Sequence, residues 1–520
     1  MEDLILTVDA GTGSTRAMVF NLNGEVIARS YRKNNLYQEQ FNWAVQNPKE
    51  ILENVVEVCR SALKDVKEGR VIGWTISTYY HSLLLLDRDN NPITDILTWA
   101  DLRASKQAET LKERYDSFSI YKKTGCPVHS MYPLSKILWF LEKDPGLKDF
   151  KVASAKDYLV YNLFGERVVD ETTASTLGLL NIYSLKWDTD ILDIIGLKTD
   201  QFPEVLPPTT IIDGKNLKVD IPELKEVPFI LGSGDGALSN LGMGVIEEDE
   251  VGIMVGTSGA VRTFATRPIL DEKQRIWSYY FADGLWLIGG AINNGGITLR
   301  WVRDSLFQDV AKEAEMLGID AYDIITKLAE KSPPGAKGLI ILPFLTGERN
   351  PYWNDKAQGT IIGLGLSHTR EDIARAFMES VCYRLYSVYS ALKDLFEREG
   401  FRELRAGGGF SRSKLWLQIM SDVFGESLIV PTLEENTSLG AMVLTSFALK
   451  IFDSLKKVKE IVKIREIIRP DKKYYLLYKE LYDIYLDAYW TLDSIFKRVY
   501  EFKRGPINFS LNHFSSGRTD

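Results

Sequence analysis

The 520-residue chain has three cysteines and four histidines, and both shortages exclude chemistry. Cys59, Cys126 and Cys382 are isolated from one another, so neither a disulfide scaffold nor a Cys-based metal cluster is expected. His81, His129, His368 and His513 are scattered and no HExxH spacing occurs, which removes the helix-borne zinc hydrolase. A nucleophile elbow for Ser/His/Asp hydrolysis is missing as well. No apolar run approaches the ~20 residues that span a bilayer. Glu2 and Asp3 precede only a short apolar run, Leu4 to Val8, without the basic flank of a secretory signal. The formal charge of -8 lacks the basic excess that nucleic acid or an anionic membrane surface would attract. The expectation is a soluble cytoplasmic protein with a small-molecule partner, no nucleic acid and no membrane.

The length exceeds what one core accommodates, so two large domains are expected. Strand patterns at 4–8, 17–20 and 25–29 surround the turns Asp9-Ala-Gly-Thr-Gly-Ser-Thr15 and Asn21-Leu-Asn-Gly24, a hairpin series. Pro48 starts a helix with Ile51, Val55, Val58 and Leu63 on one face. Further strands are expected at 71–77, 83–86 and 227–231, with helices at 104–115, 134–143, 157–163 and 174–180. After the polar boundary Glu247 to Glu250, the strand Val251 to Val255, the turn Gly256-Thr-Ser-Gly259 and the strand Ala260 to Phe264 repeat the opening pattern. A strand at 339–343 and helices at 370–396, 413–423 and 440–450 complete the second half. Domains of 1–246 and 247–505 follow, with a polar tail at 506–520.

Several short strings carry chemistry. In Gly11-Thr-Gly13 and Gly256-Thr-Ser-Gly259, glycine permits close backbone approach to a phosphate, while Thr12, Ser14 and Thr257 add hydroxyls. Each string also reads as an ordinary tight turn. Gly407-Gly-Gly409 offers a third approach, for adenosine or its phosphates, or simply a helix entry. Asp9, at a strand end, would orient Mg2+. Asp235, in Gly234-Asp-Gly236 at a strand-to-helix junction, is equally a helix cap or the group that accepts a hydroxyl proton as phosphoryl transfer proceeds. His81, Trp99, Asp101 and Arg103 would make a polyol site, with Arg103 attracting a carboxylate; the alternatives are core packing for Trp99 and a local surface pair for Asp101 and Arg103.

These strings, taken in order, resemble the FGGY carbohydrate kinase family over nearly the whole chain. Asn42-Trp-Ala-Val-Gln-Asn-Pro48, Trp99-Ala-Asp-Leu-Arg103, Met131-Tyr-Pro-Leu-Ser-Lys136, Gly232-Ser-Gly-Asp-Gly236 and Gly363 through Glu379 carry the resemblance beside the three glycine loops. It implies a duplicated actin-like, ribonuclease-H-like α/β fold with an interlobe cleft. It also implies Asp235 as catalytic base, Asp9 and Asp235 near Mg2+, and the loops with Thr12, Gly13, Ser14, Gly256, Thr257, Gly407, Gly408 and Ser411 around ATP. His81, Trp99, Asp101, Arg103, Asp235 and Asn293 are implied on the acceptor.

Within the family the chain is most similar to the gluconate kinases, through Tyr80-His-Ser82, Lys123 to His129, Ser233 to Gly242 and Ile288 to Gly296. Phosphorylation of D-gluconate to 6-phospho-D-gluconate is therefore the leading expectation. Xylulose or another pentulose or polyol is the alternative acceptor, and an actin-like ATP-binding interaction module is the alternative class. Two departures bear on this: Asn42 precedes Trp43 where glycine is more frequent, and two aromatics, Tyr79 and Tyr80, precede His81. A homodimer stays open.

Overall fold

A computed structural model describes residues 2–40, 42–147 and 149–504; the expected tail at 506–520 lies outside the described residues. Two mixed sheets dominate. The first runs Val26–Lys33, Ser14–Asn21, Asp3–Ala10, Arg70–Thr78, Phe229–Ile230, with the two-residue strand Ile211–Ile212 at the edge. The second runs Trp277–Tyr280, Trp286–Ile292, Gly259–Ala265, Glu250–Val255, Glu403–Gly407, Leu428–Pro431, Ile464–Ile468.

The sheets repeat one plan. In each, a first strand pairs antiparallel with the next strand in sequence and parallel with a distant one: Asp3–Ala10 with Ser14–Asn21 and Arg70–Thr78, Glu250–Val255 with Gly259–Ala265 and Glu403–Gly407. The parallel partner arrives after a helical crossover, as parallel pairing requires. Both central strands are almost entirely buried, which is why they read as continuous apolar runs rather than as alternating ones. The architecture is the duplicated actin-like α/β fold with an interlobe cleft.

Helix Pro48–Lys64 follows the expected pattern: Asn47 caps the amides of Lys49 and Glu50, and Ile51, Val55, Val58 and Leu63 are buried. The expected helix at 174–180 is a correction. Asp170 caps a shorter helix, Glu171–Ser175, by accepting from the Thr173 amide. Gly178, at φ +73°, then turns the chain into the strand Leu180–Asn181. Asn42 adopts φ +67°, a left-handed conformation asparagine tolerates better than most residues, which accounts for its standing where glycine is more frequent.

The two halves share one core. Ile5, Met18 and Phe20 of the first sheet and Phe264, Trp277 and Tyr279 of the second pack with Ala237, Leu238 and Leu241 and with Ala441, Met442 and Leu444. These last two groups belong to helices Asp235–Gly242 and Asn436–Ala448, which cross at glycine: a methyl on Gly440 would stand 2.0 Å from the Leu238 carbonyl oxygen, and one on Gly242 1.8 Å from that of Asn436. The boundary at Glu247 to Glu250 is tied down: Glu250 is buried, accepts from the Ile246 and Glu247 amides and pairs with Arg402. Among the described residues, no helix is long and apolar enough to cross a membrane.

Candidate active site

Asp9 ends its strand with Oδ1 accepting from Ser77 Oγ at 2.8 Å. Asp235 is the first residue of helix Asp235–Gly242, reached from the strand Phe229–Ile230 two strands away in the same sheet. Burial, and then the neighbouring Asp9 carboxylate, push the Asp235 carboxyl up to about 7; Arg262 and Arg349 oppose that rise. Burial likewise raises Asp9. Asp9, near the end of its strand, and Asp235, at the helix that follows another strand of the same sheet, are thus close enough to interact.

The glycines flanking Asp235 have a reason that spacing does not reveal. A methyl on Gly234 or Gly236 would fall 2.0 or 2.4 Å from the Tyr80 ring. The space beside Asp235 is filled by Tyr80, not left open for a ligand. The Tyr80 hydroxyl accepts from the Ala237 amide at 2.9 Å, so this aromatic caps the helix that carries Asp235. Tyr79 donates to Gln46 Oε1 at 2.6 Å, and Gln46 Nε2 donates to the Thr12 carbonyl at 2.8 Å, tying the same segment to the first glycine loop.

That loop is closed by a Gly11 N–H to Ser14 carbonyl bond, and Gly13 has open space where a side chain would project. Its counterpart Gly256–Gly259 is pinned from behind: the Gly296 and Ile297 amides donate to the Gly256 and Thr257 carbonyls at 2.8 and 3.1 Å. Gly256 again faces open space, and Thr257 is exposed. In the third loop the glycines divide. Gly407 packs on Met243 and Asn436 and Gly408, at φ +91°, on the Val255 carbonyl, whereas Gly409 is exposed to open space. Ser411 is buried and its amide donates to the Gly408 carbonyl at 3.0 Å.

Residues 4–242 match the N-terminal domain of the FGGY family of carbohydrate kinases, and residues 251–449 its C-terminal domain. The chain belongs to this family. It is an enzyme that transfers a phosphoryl group from ATP to a hydroxyl of a small carbohydrate acceptor. It is similar to a gluconokinase of Bacillus subtilis (strain 168), 37% identical over 98% of this chain and 99% of that one. Among solved structures it is similar to a gluconate kinase from Lactobacillus acidophilus, with TM-score 0.87 and 30% identity over 96% of this chain and 100% of that one. A ligand-bound xylulose kinase from the same organism gives the same TM-score, identity and coverage.

The remaining wall of this FGGY kinase pocket comes from both lobes. His81 is held at φ +63° with Nε2 3.0 Å from the Tyr279 hydroxyl, which lies 2.7 Å from that of Tyr132. Burial, then the positive charge of Arg349 and Lys136, holds His81 well below the usual imidazole range, so it is neutral here. Lys136 donates to the carbonyls of His81 and Thr98 at 3.3 and 2.7 Å, bracing the segments that present His81 and Trp99. Trp99 is half-buried with the Arg349 guanidinium 4.5 Å over its ring. Asn293 is held by its amide on Glu348 and by its Nδ2 on the Thr346 carbonyl; its Oδ1 is buried without a partner.

Asp101 and Arg103 are deeply buried, not a surface pair. Asp101 accepts from the Ala44 amide and from Nε and Nη2 of Arg103, whose guanidinium stacks 3.6 Å from the Trp43 ring. With its side chain 5% exposed, Arg103 is committed to this brace and has little left for a carboxylate.

Sequence reading did not single out Arg262, Tyr132, Tyr279 and Arg349. For Arg262 a signal existed: it is the one charged residue in the otherwise apolar and small strand Gly259–Ala265. Tyr132 lay within a recognised motif, but nothing in the spacing brings Arg349 or Tyr279 to Asp235.

Proposed function

We propose that the acceptor is D-gluconate, phosphorylated on its 6-hydroxyl, with Asp235 as the base. The observation that carries the assignment of the base is its setting: a carboxyl pushed up to about 7, at a helix start, with the Asp9 carboxylate close enough to raise it. A group with proton affinity near working pH takes the hydroxyl proton as the oxygen attacks the terminal phosphoryl group. The loops at Thr12, Gly13 and Ser14 and at Gly256 and Thr257 cradle phosphates through backbone amides, and Gly409, backed by Gly407, Gly408 and Ser411, borders the nucleoside. His81, Trp99 and Asn293 line the acceptor, while Asp101 and Arg103 hold that wall.

Asp9 and Asp235 fit Mg2+. A buried carboxyl group raised by a neighbouring carboxylate is relieved by a cation, and Mg2+ takes only one or two carboxylates, the rest of its shell being phosphate and water. No group of three or more His, Cys, Asp or Glu is gathered for a metal among the described residues. When bound, the ion neutralises charge on the phosphates.

Gluconate is favoured by the 37% identity to the Bacillus gluconokinase. Xylulose is the second reading, favoured by the similarity to the Lactobacillus xylulose kinase. Purified protein, ATP and Mg2+ with gluconate, xylulose, ribulose and glycerol separates them: highest kcat/KM is expected on gluconate. Turnover of xylulose without gluconate would reject the acceptor assignment. Nucleotide-dependent binding of a protein partner with no acceptor phosphorylated would instead favour an interaction module. A cytoplasmic setting is part of the proposal, supported by three free, buried cysteines.

A further inference from the structure

Buried arginines in this protein mostly carry a carboxylate partner, and buried Arg349 and half-buried Arg262 do not. Arg103 sits on Asp101, Arg375 on Glu379 and Arg384 on Glu348, each within 3.2 Å. Such pairing is what makes a buried guanidinium tolerable, because an uncompensated charge in a dry site is costly. Arg262 and Arg349 both reach the Asp235 pocket, and among the described residues neither has a carboxylate within 4.0 Å.

Their hydrogen bonds are sparse. Arg262 Nη1 donates to the Gly236 carbonyl at 3.3 Å and to Ser239 Oγ at 3.1 Å. Arg349 Nη2 donates to the Ile292 carbonyl at 3.0 Å. Nε of each is buried without a partner. Glu348 is the acid whose charge most favours the Arg349 guanidinium, but its oxygens are engaged elsewhere: Oε1 takes the amides of Asn293 and Arg349, and Oε2 takes Arg384 Nε. Arg262 and Arg349 also repel each other, and burial lowers the proton affinity of both. The rest of the wall is uncharged or hydroxylic: neutral His81, Tyr132, Tyr279 and the unpartnered Asn293 Oδ1.

Building on the sugar-acid reading above, we propose that Arg349, with Arg262 beside it, takes the carboxylate of the acceptor and so selects sugar acids over neutral sugars. Arg262 reaches the backbone beside Asp235, at the Gly236 carbonyl, whereas Arg349 lies over the Trp99 ring. That arrangement suits an acceptor whose hydroxyl end lies at Asp235 and whose acid end lies at Arg349. The role expected of Arg103 passes to residues of the second lobe, so the carboxylate is gripped from the lobe opposite the base. The other anion that could meet two guanidinium groups is the phosphoryl group of the nucleotide, and the test separates the two.

Affinities for gluconate and for its neutral amide, gluconamide, are measured by calorimetry with ADP present, in wild type and in Arg349→Gln, Arg349→Lys and Arg262→Gln. ADP affinity is measured alone. Wild type is expected to bind gluconate at least ten times more tightly than gluconamide. The two Gln variants lose about 10- to 100-fold on gluconate, as hydrogen bonds to a charged group imply, with little change on gluconamide or ADP. Arg349→Lys recovers part of the loss. Weakened ADP binding with gluconate unaffected would assign the arginines to the phosphates and overturn the proposal. So would wild-type gluconate affinity in either Gln variant, whereas turnover of neutral ketoses alone by wild type would fell the sugar-acid reading itself. The wild-type comparison of gluconate with gluconamide decides even where a variant does not fold, since equal affinities refute the carboxylate contact.

Discussion

Replacing Gly440 by alanine should damage both stability and turnover, although the same change in an exposed helix would stabilise it. Gly440 lies inside helix Asn436–Ala448, where alanine gains about 1 kcal/mol of helix propensity over glycine. Against that, the new methyl would stand 2.0 Å from the Leu238 carbonyl oxygen and 3.0 Å from the Gly242 amide nitrogen. Ordinary contact begins near ~3.4 Å, so the two helices must part by about 1.4 Å. Overpacking of this kind costs about 1–3 kcal/mol, and here the obstacle is backbone, which cannot rotate away. The balance is a net loss of up to about 2 kcal/mol. The displaced helix carries Asp235 at its first turn, and a shift of about 1 Å in a reacting group costs about 100-fold in rate. Thermal unfolding and steady-state kcat are the assays. Gly242→Ala should behave alike, its methyl 1.8 Å from the Asn436 carbonyl oxygen, and the double variant should lose less than the sum because one separation relieves both clashes. A raised Tm with unchanged kcat for Gly440→Ala would refute the close crossing.

Three further outcomes are expected. Asp235→Asn keeps the helix start and ADP affinity but lowers kcat by about 100-fold or more, the contribution of a positioned base; near-normal turnover in a coupled assay would remove Asp235 from that role. Arg103→Gln leaves Asp101 buried without its partner, so thermal stability should fall by about 3–5 kcal/mol, with losses of activity equal on acidic and neutral acceptors; a loss confined to gluconate would make Arg103 a carboxylate contact after all. Burial brings Lys136 down to about 7 and Lys156 to about 8 from 10.5. Both therefore bind fewer protons folded than unfolded above those values, and stability rises with pH from about 7 towards 10, by at most about 1.4 kcal/mol per pH unit for each. Urea midpoints followed over that range should climb less steeply in Lys136→Met than in wild type, and parallel slopes would contradict a lysine whose proton affinity burial lowers.

Much of the scaffold was legible because its signals are local. Continuous apolar runs mark the central strands, Asn47-Pro48 marks a helix start, and two Gly/Thr turns after equivalent strands mark the duplication. The helix expected at 174–180 failed for a local reason too: the cap at Asp170 and the left-handed Gly178 outweigh an apolar pattern too short to define a period. Within the candidate site, the sequence singled out Asp9, Asp235 and the glycine loops, since a strand end or a tight turn is a property of a few consecutive residues. Why Gly234 and Gly236 are glycine was not legible, because Tyr80, whose ring fills the space beside them, is distant in the chain.

By itself, the sequence determined the family, the duplicated α/β plan and the phosphoryl-transfer chemistry, all of which are written in short ordered strings. Tertiary structure alone decided which charges are free. Asp101 and Arg103 are two residues apart and satisfy each other in the core, while Arg262 and Arg349, 87 positions apart in the chain, come near Asp235 without a carboxylate in ion-pair contact among the described residues. Whether an ion is compensated depends on every group that folding brings within a few ångströms, and that set is not encoded in spacing.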